Sequence, residues 1–278
     1  MKPLVSVIIP TYQRRIFVCD AIRSVVSQSF SDIEIIVVDD GSDDGTRSAV
    51  SAIEDDRIIY LWQKHAGVSS ARNEGVLNSR GKFVAFLDSD DVWLPEKIEK
   101  QLAFMNELPA DSICQTEEIW IRDGRRMNPS NHHKKHSGWI FRECLPLCIV
   151  SPSAVMMERR IFDDLGGFDE NLPACEDYDL WLRASLRHQI FTMDEALIVK
   201  RGGHSDQLSK QWGLDIHRVS ALQKILSDPL LTDEYAKLVR ADIVRRSKIL
   251  ADGAKKRGNL EMFEKYARLC DESLSPSS

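Results

Sequence analysis

The sequence predicts an α/β fold, in which helices flank a mostly parallel mixed sheet and a helical appendage follows it. Up to residue 107, short apolar runs alternate with amphipathic helical patterns. The run at residues 33–38 is nearly continuous in apolar side chains, as expected of a strand covered on both faces. Strand, helix, strand, helix is the order that right-handed βαβ units require.

Each element of the first part follows from a local pattern. Four strands are expected, at residues 5–9, 33–38, 57–61 and 82–87. The first helix has one apolar face, made by Val18, Ile22, Val25 and Val26. Further helices are expected at residues 46–53, 68–79 and 95–107. Pro95 lies in the first turn of the last of these, where a missing N–H costs nothing.

The second part is predicted to be less regular at first and then helical. Strands are expected at residues 117–121 and 153–158, and a helix at residues 177–186. After about residue 206 the pattern is helical, with a break at Gly258 and a tail at residues 273–278 that we expect to be disordered. We therefore expect a first domain at residues 1–205 and a C-terminal helical region at residues 206–278.

Composition and charge argue against several classes of protein. The formal net charge of −6 argues against general nucleic-acid binding, because a phosphate backbone requires a basic surface. The sequence shows neither a signal-peptide pattern nor the run of about 20 apolar residues that spans a membrane. Six cysteines without a Cys-x-x-Cys pair predict reduced thiols. A cytoplasmic protein is expected, and peripheral contact with the inner face of the membrane is left open.

An acidic turn directly follows the fourth predicted strand and contains Asp88, Ser89, Asp90 and Asp91. Carboxylates crowded at the edge of a core repel each other unless a positive charge neutralises them. A hard divalent cation, Mg²⁺ or Mn²⁺, together with a bound diphosphate would meet that requirement. Taken alone, the pattern also fits a solvated turn, because aspartate is common in turns.

A second acidic turn, which begins with Asp39, Asp40 and Gly41, follows the second strand. Its spacing partly matches a calcium-binding EF-hand loop, but the position of the bidentate glutamate is occupied by Ser51. We therefore expect a carboxylate that accepts hydrogen bonds from a nucleobase or a ribose. Gly41 would let the backbone come close to that ligand.

The end of the first strand carries Pro10, Thr11 and Tyr12. Because ligands bind beyond the carboxyl ends of parallel strands, these residues and both acidic turns are expected at one edge of the sheet. A nucleotidyltransferase, which also binds nucleotide and metal, would have a phosphate loop rich in glycine and arginine at this place. The segment at residues 10–14 contains no glycine.

Five motifs occur in order: VSVIIPTY at residues 5–12, DDGS at 39–42, ARNEG at 71–75, DSDD at 88–91 and ED at 176–177. In these motifs the sequence resembles the family-2 inverting glycosyltransferases, which have the GT-A fold, a Rossmann-like α/β arrangement. The resemblance covers roughly residues 4–205. It implies transfer of a sugar from a nucleotide-sugar donor, UDP-linked or similar, to an acceptor hydroxyl.

The resemblance also implies roles for individual residues. Tyr12 would stack on the nucleobase and Asp39 would hydrogen-bond it. The full set expected at the donor is Pro10, Thr11, Tyr12, Asp39, Arg72, Asp88 and Ser89. Mn²⁺ or Mg²⁺ is the expected cofactor, with Asp90, Asp91 and His204 as ligands. Which of the three aspartates touches the ion is left open, and His65 is a further candidate to line the donor site.

In line with the resemblance, Asp177 of the last motif is the predicted catalytic base; it also precedes an apolar periodic run, where a helix is expected to begin. An aspartate there is also a good N-cap, and the two roles are compatible, since a helix N-terminus fixes a carboxylate and favours its charged form. The base would take the proton of the acceptor hydroxyl as that hydroxyl attacks the anomeric carbon. Glu176 is the expected acceptor contact.

The expected partners are a nucleotide-sugar donor and a glycan or lipid-linked sugar acceptor, in the assembly of a bacterial surface polysaccharide or glycan. A non-catalytic nucleotide-sugar-binding module and a sugar nucleotidyltransferase are the alternatives. The loop from His132 to His136 is either a contact for an anionic acceptor or headgroup, or simply a solvated loop. The C-terminal helices are open to three interpretations: a dimer contact, a partner surface or a brace.

Overall fold

The computed structural model describes residues 2–128, 133–203 and 212–274. The first part of the chain forms β1 (Val5–Thr11), α1 (Arg15–Val26), β2 (Ile33–Asp39), α2 (Thr46–Ser51), β3 (Ile58–Trp62), α3 (Val68–Leu77), β4 (Phe83–Phe86), β5 (Val92–Trp93) and α4 (Lys97–Met105). The second part forms β6 (Ile113–Arg122), β7 (Arg125–Met127), α5 (Phe141–Cys144), β8 (Met156–Glu158), α6 (Arg159–Asp164), α7 (Glu176–Arg187), β9 (Ile190–Gly202), α8 (Leu214–Ile225), α9 (Asp233–Lys256) and α10 (Leu260–Leu274).

These strands form one mixed sheet in the order β3-β2-β1-β4-β8-β6-β9-β5, and β7 pairs with β6. Strands β1 to β4 are parallel, as the alternation of strands and helices predicted. Their register aligns Thr11 with Asp39, and Asp39 with Trp62. Three of these strands therefore end at one level, and the polar turns that follow them begin at a common edge of the sheet.

The sheet has an apolar core on each face, because successive side chains of a strand point to opposite sides. In β1, Val7 and Ile9 pack with residues of α1 such as Val18. Ile8, which lies between them, packs into a larger core on the other face that includes Trp181 of α7. All of these side chains are fully buried. This double coverage explains the nearly continuous apolar sequence of the central strands.

The C-terminal helices are part of the larger core. Leu222 of α8, together with Val239 and Ile243 of α9, belongs to the same apolar cluster as Trp181. Helices α9 and α10 are separated at Gly258, whose φ of 71° ends α9 as the sequence predicted. The boundary expected after residue 205 lies outside the described residues and stays a prediction.

Several elements differ from the sequence prediction. Residues 152–154 form a short 3-10 helix rather than the beginning of a strand, because Pro152 has no N–H to donate to a sheet. The strand expected at 117–121 lies in the second half of the longer β6, and α10 extends two residues into the expected tail. Strand β9 was not predicted, since many of its residues are polar and its order depends on pairing with the distant β5 and β6.

No helix in the described part of the chain combines the length and the apolar character that a membrane span requires.

Gly75 lies where α3 crosses the sheet, and it provides a test of this packing. An added Cβ would clash with Ile8 and come within 3.2 Å of Val38. We expect Gly75→Ala to lower the free energy of unfolding by about 1–3 kcal/mol through overpacking, measured by urea denaturation. The control is Gly253→Ala in α9, where the Cβ meets only the flexible end of Arg257. That variant should be neutral or stabilised by up to about 1 kcal/mol, and equal losses in both variants would contradict this explanation.

Candidate active site

The first part of the site lies where β1 and β2 end. Asp39 is fully buried, and its Oδ1 accepts the backbone N–H of Ser42 at 2.8 Å. Its Oδ2 accepts the hydroxyl of Tyr60 at 2.5 Å. Burial, together with this hydrogen bond, raises the pKa of Tyr60. Asp39 is therefore held rigidly by β3 and by its own turn, while Pro10 and Thr11 lie buried beside it in β1.

The neighbouring Asp40 shapes the loop that leads into α3, a role the sequence did not reveal. Its carboxylate accepts the backbone N–H groups of Ala66 at 2.8 Å and Gly67 at 2.9 Å. Nδ1 of His65 lies 2.8 Å from the same carboxylate. The imidazole stacks on the ring of Tyr12, with centroids 4.1 Å apart and planes inclined by 22°. Tyr12 is 42% exposed, so an aromatic pair faces solvent at the end of β1.

Gly41 is required by this arrangement. Its φ of 90° is in the left-handed region, and an added Cβ would lie 2.9 Å from the backbone nitrogen of His65. The sequence predicted that the backbone at Gly41 approaches a ligand. In the structure, this backbone closely approaches the loop at His65.

Arg72 connects the two halves of the site. Its guanidinium, in α3, donates from Nη2 to Asp88 Oδ1 at 2.7 Å and from Nη1 to Glu176 Oε1 at 2.6 Å. The side chain of Arg72 is only 4% exposed. Burial lowers the pKa of Arg72, but the charges of Asp88 and Glu176 outweigh that effect and raise it above its ordinary value. The structure therefore brings together three predicted residues from distant parts of the sequence.

The two carboxyls that share Arg72 differ in their surroundings. Burial raises the pKa of Asp88, but the charge of Arg72 outweighs it, and the pKa lies below its ordinary value. The pKa of Glu176 is raised by burial and by the neighbouring charge of Asp177, which Arg72 offsets only in part. Arg72 thus pairs with a more acidic group in the acidic turn and with a less acidic group at the start of α7.

The remaining aspartates of the acidic turn are also engaged. Asp90 Oδ2 lies 2.6 Å from Nη1 of Arg14. Asp91 accepts the hydroxyl of Ser153 at 2.7 Å and the backbone N–H of Arg201 at 3.0 Å. Burial raises the pKa of Asp91 to about 8, and the charges of Asp90 and Asp88 contribute although Lys200 opposes them.

Within the described ranges, no group of three or more His, Cys, Asp or Glu side chains is arranged to hold a metal ion. His204, predicted as a metal ligand, and His132 of the histidine-rich loop lie outside the described residues. Ser89 is buried within the acidic turn, 5% exposed.

Asp177 lies in the first turn of α7, as predicted. Cys175, directly before the helix, has a φ of 62°, and this left-handed conformation turns the chain so that Glu176 and Asp177 begin the helix together. Oδ1 of Asp177 accepts the backbone N–H of Tyr178 at 2.7 Å, while the side chain stays partly exposed. The helix N-terminus stabilises a negative charge at this position. Glu176 binds Arg72, and this contact connects the start of α7 to the acidic turn.

Lys200 is a member of the site that the sequence did not reveal, because β9 was not predicted. Its ammonium donates to Ser151 Oγ at 3.0 Å. Burial lowers the pKa of Lys200, but the charges of Glu118, Asp91, Asp88 and Asp177 outweigh it and raise the pKa above its ordinary value. Lys200 is therefore a cation within electrostatic range of both the acidic turn and Asp177.

Comparison with known proteins identifies the family. The model described as Glycosyl transferase family 2 matches residues 6–166, and the model described as Glycosyltransferase like family 2 matches residues 131–212. The first match covers more than half of the chain. The chain therefore belongs to glycosyl transferase family 2, and its fold is the GT-A fold that the sequence predicted.

Relatives with known or assigned roles support this placement. The putative teichuronic acid biosynthesis glycosyltransferase TuaG of Bacillus subtilis is 35% identical over 219 residues, which cover 76% of this chain and 84% of TuaG. The UDP-Glc:alpha-D-GlcNAc-diphosphoundecaprenol beta-1,3-glucosyltransferase WfgD of Escherichia coli is 32% identical over 183 residues, covering 64% of this chain and 68% of WfgD. An uncharacterized glycosyltransferase of Rickettsia bellii is 30% identical over 85% of this chain, which spans only 35% of that protein.

Solved structures share the fold at low sequence identity. Residues 1–349 of Staphylococcus aureus TarS, in complex with UDP-GlcNAc, match with a TM-score of 0.76 and 20% identity, covering 97% of this chain and 82% of that one. The mannosyltransferase PcManGT of Pyrobaculum calidifontis, in complex with GDP-Man and Mn²⁺, matches with a TM-score of 0.61 and 18% identity, covering 98% and 84%.

Lys97, six residues after the acidic turn, is a buried lysine whose protonation affects stability. Lys97 of α4 is fully buried; its ammonium donates to Gln101 at 2.6 Å and lies 3.7 Å from the ring centroid of Trp93. Burial lowers the pKa of Lys97 to about 7. Between pH 7 and about 10 the unfolded state therefore binds a proton that the folded state does not.

We compare the free energy of unfolding of the wild type with that of Lys97→Met. The difference should rise with pH across this window, by up to about 1.4 kcal/mol per pH unit. Below pH 7 both states are protonated, so the cost of burying the charge is fully present and the difference is constant. The measurement is denaturant unfolding at several pH values. Lys100→Met, in the same helix but paired with Glu96 and Glu195 at the surface, is the control. A difference for Lys97→Met that does not change with pH would contradict the expected titration.

Proposed function

We propose that this protein is an inverting, metal-dependent glycosyltransferase that moves a sugar from a nucleotide-sugar donor to an acceptor hydroxyl. The observation that carries the proposal is the buried Arg72, which binds Asp88 of the acidic turn and Glu176 at the start of α7. This contact supports the proposal, because it joins Asp88 of the acidic turn to Glu176, the neighbour in sequence of the proposed base Asp177. The catalytic domain is proposed at residues 1–205, with the helical region at 206–278.

At the proposed donor site, the nucleobase would stack on the exposed aromatic pair of Tyr12 and His65. Asp39 would accept a hydrogen bond from the base, since a carboxylate that already accepts two bonds retains acceptor capacity. The remaining residues proposed to contact the donor are Thr11, Pro10 and Ser89. The TarS structure in complex with UDP-GlcNAc supports a nucleotide-sugar donor, because it shares the fold.

The donor atoms of the acidic turn fit a hard divalent cation. Asp88, Asp90 and Asp91 offer carboxylate oxygens, which Mg²⁺ and Mn²⁺ prefer. Burial, together with the charges of Asp90 and Asp88, raises the pKa of Asp91, and a bound cation would favour its charged form. Asp90 and Asp91, with His204, are the proposed ligands. When bound, the ion would supply positive charge to the leaving diphosphate.

The transfer step is proposed as a single displacement. Asp177, at the N-terminus of α7, would accept the proton of the acceptor hydroxyl as the hydroxyl oxygen bonds to the anomeric carbon. The bond from that carbon to the diphosphate oxygen breaks, so the nucleoside diphosphate leaves with the electron pair and the configuration inverts. Glu176 would orient the acceptor, and Arg72 holds both sides at a fixed distance.

The relatives indicate the process. TuaG is assigned to teichuronic acid biosynthesis, and WfgD acts on a sugar linked to diphosphoundecaprenol. We propose that this protein extends a lipid-linked or polymeric glycan in bacterial surface-polysaccharide assembly. It would then act in the cytoplasm, in peripheral contact with the inner face of the membrane where such an acceptor is anchored.

A screen of nucleotide sugars by thermal shift tests the donor site. A true donor stabilises the folded state by mass action, by about 2.7 kcal/mol at a concentration 100 times its Kd. We expect one nucleotide class to raise Tm in the presence of Mn²⁺, and the shift to shrink when Mn²⁺ is replaced by a chelator. Tyr12→Leu should reduce the shift, whereas Trp62→Leu, an exposed aromatic residue at the end of β3, should not. If no nucleotide sugar raises Tm with or without the metal, the donor assignment is wrong.

Replacement of Asp177 tests catalysis. Asp177→Asn removes the proton acceptor with little change in size, so we expect turnover to fall at least about 100-fold, as when a general base is lost. The thermal shift given by the donor should remain. The control is Asp194→Asn, an exposed aspartate in β9. Donor binding without turnover in the wild type would instead favour a non-catalytic binding module.

A further inference from the structure

Arg246 of α9 links the C-terminal helices to the wall of the site. It is 2% exposed, although it lies on a helix far along the sequence from every predicted site residue. Its Nη2 donates to the backbone carbonyls of Leu145 at 3.2 Å and Pro146 at 2.8 Å. Its remaining N–H groups bind two carboxylates, Asp242 in α9 and Asp215 in α8. A buried guanidinium satisfied on all sides fixes its four partners relative to one another.

A second donor reaches the same carbonyl from α7. The hydroxyl of Tyr178 donates to the carbonyl oxygen of Leu145 at 2.7 Å, and its ring lies 5.7 Å from the guanidinium carbon of Arg246. Tyr178 is fully buried and directly follows Asp177. The position of the proposed base is therefore tied, through its neighbour in the chain, to the contact that Arg246 makes.

The segment that Arg246 anchors is residues 145–151. Its later residues Cys148 and Ser151 lie close to charged groups of the site. The Cys148 thiol donates to the carbonyl of Val150 at 3.2 Å. Burial, and then the charge of Asp177, raise the pKa of this thiol. Ser151 accepts the hydrogen bond of Lys200 at 3.0 Å. Movement of this segment would therefore disturb the contact of Tyr178, next to Asp177, and the contact of Lys200.

We propose that Arg246 is a positioning residue for sugar transfer, and that the C-terminal helices are an integral part of the catalytic centre. Through Leu145 and Pro146 it holds the 145–151 segment against Tyr178 in the first turn of α7, and so fixes the position of the neighbouring Asp177. The proposal rests on the proposed function, because it assigns to Arg246 a role in placing the proposed base. Of the three interpretations of these helices, it selects the brace.

The test is a double-mutant cycle on transfer kinetics with Arg246→Lys and Tyr178→Phe. Lysine keeps the positive charge beside Asp215 and Asp242 but cannot reproduce the planar set of donors. Because a displacement of about 1 Å can cost about 100-fold in rate, we expect kcat to fall about 10- to 100-fold in each single variant. The affinity for the donor should change less than about threefold, because the donor side is not anchored by this contact. Since both residues donate to the Leu145 carbonyl, the double variant should be little slower than the slower single variant.

Arg245→Lys is the matched control, since Arg245 also binds Asp242 but is half exposed and does not contact the 145–151 segment. It should retain the kcat of the wild type. Hydrogen exchange at amides 145–151 should quicken in Arg246→Lys and not in Arg245→Lys. Unchanged kcat in Arg246→Lys, or losses that multiply in the double variant, would overturn the proposal. These results differ from a failure of the proposed base, which would appear as turnover retained in Asp177→Asn while the coupling between Arg246 and Tyr178 persists.

Discussion

The site depends on one ion-pair network, in which the buried Arg72 pairs with both Asp88 and Glu176. The two carboxylates lie 88 residues apart in sequence and on different elements, and each would be costly to bury alone. Because the guanidinium is planar and its donors are fixed in direction, the network sets a geometry as well as a charge. Arg72 therefore reduces the repulsion between the acidic turn after β4 and the start of α7, so that the two can lie close together.

The sheet brings these groups within reach of one another. Parallel pairing of β1 with β2 and β4 makes their carboxyl ends coincide, so side chains separated by tens of residues begin at the same edge. The antiparallel insertion of β8, and the return of β9 beside β6, then bring Ser153 and Lys200 to that edge. The first set follows from a repeated local pattern, whereas the second set follows only from the completed sheet.

This difference explains how much could be predicted from sequence. Apolar runs and acidic turns located β1 to β4 and the residues Asp39 and Asp88, because each signal is local, whereas Arg72 and Glu176 were expected only from the resemblance to the family. The partners of those residues were not predictable, since the pairing of Arg14 with Asp90, or of Asp40 with the loop before α3, depends on contacts between elements that no spacing encodes. Lys200 was missed for the same reason, because β9 is ordered by its neighbours and not by its own pattern. The roles of these residues in catalysis remain predictions.

The same distinction applies to the C-terminal helices. Their apolar periodicity predicts helices with a buried face, but it does not state what that face covers. The structure shows that Leu222 and Ile243 complete the core that supports α7. A buried arginine in that interface needs acceptors with fixed positions, and two of those acceptors are main-chain carbonyls of the segment beside Asp177. Main-chain acceptors cannot be removed by substitution of their own side chains, so a contact of this kind constrains the backbone itself. For this reason the rigidity of the catalytic side can originate in a part of the chain that carries none of the motifs of the family.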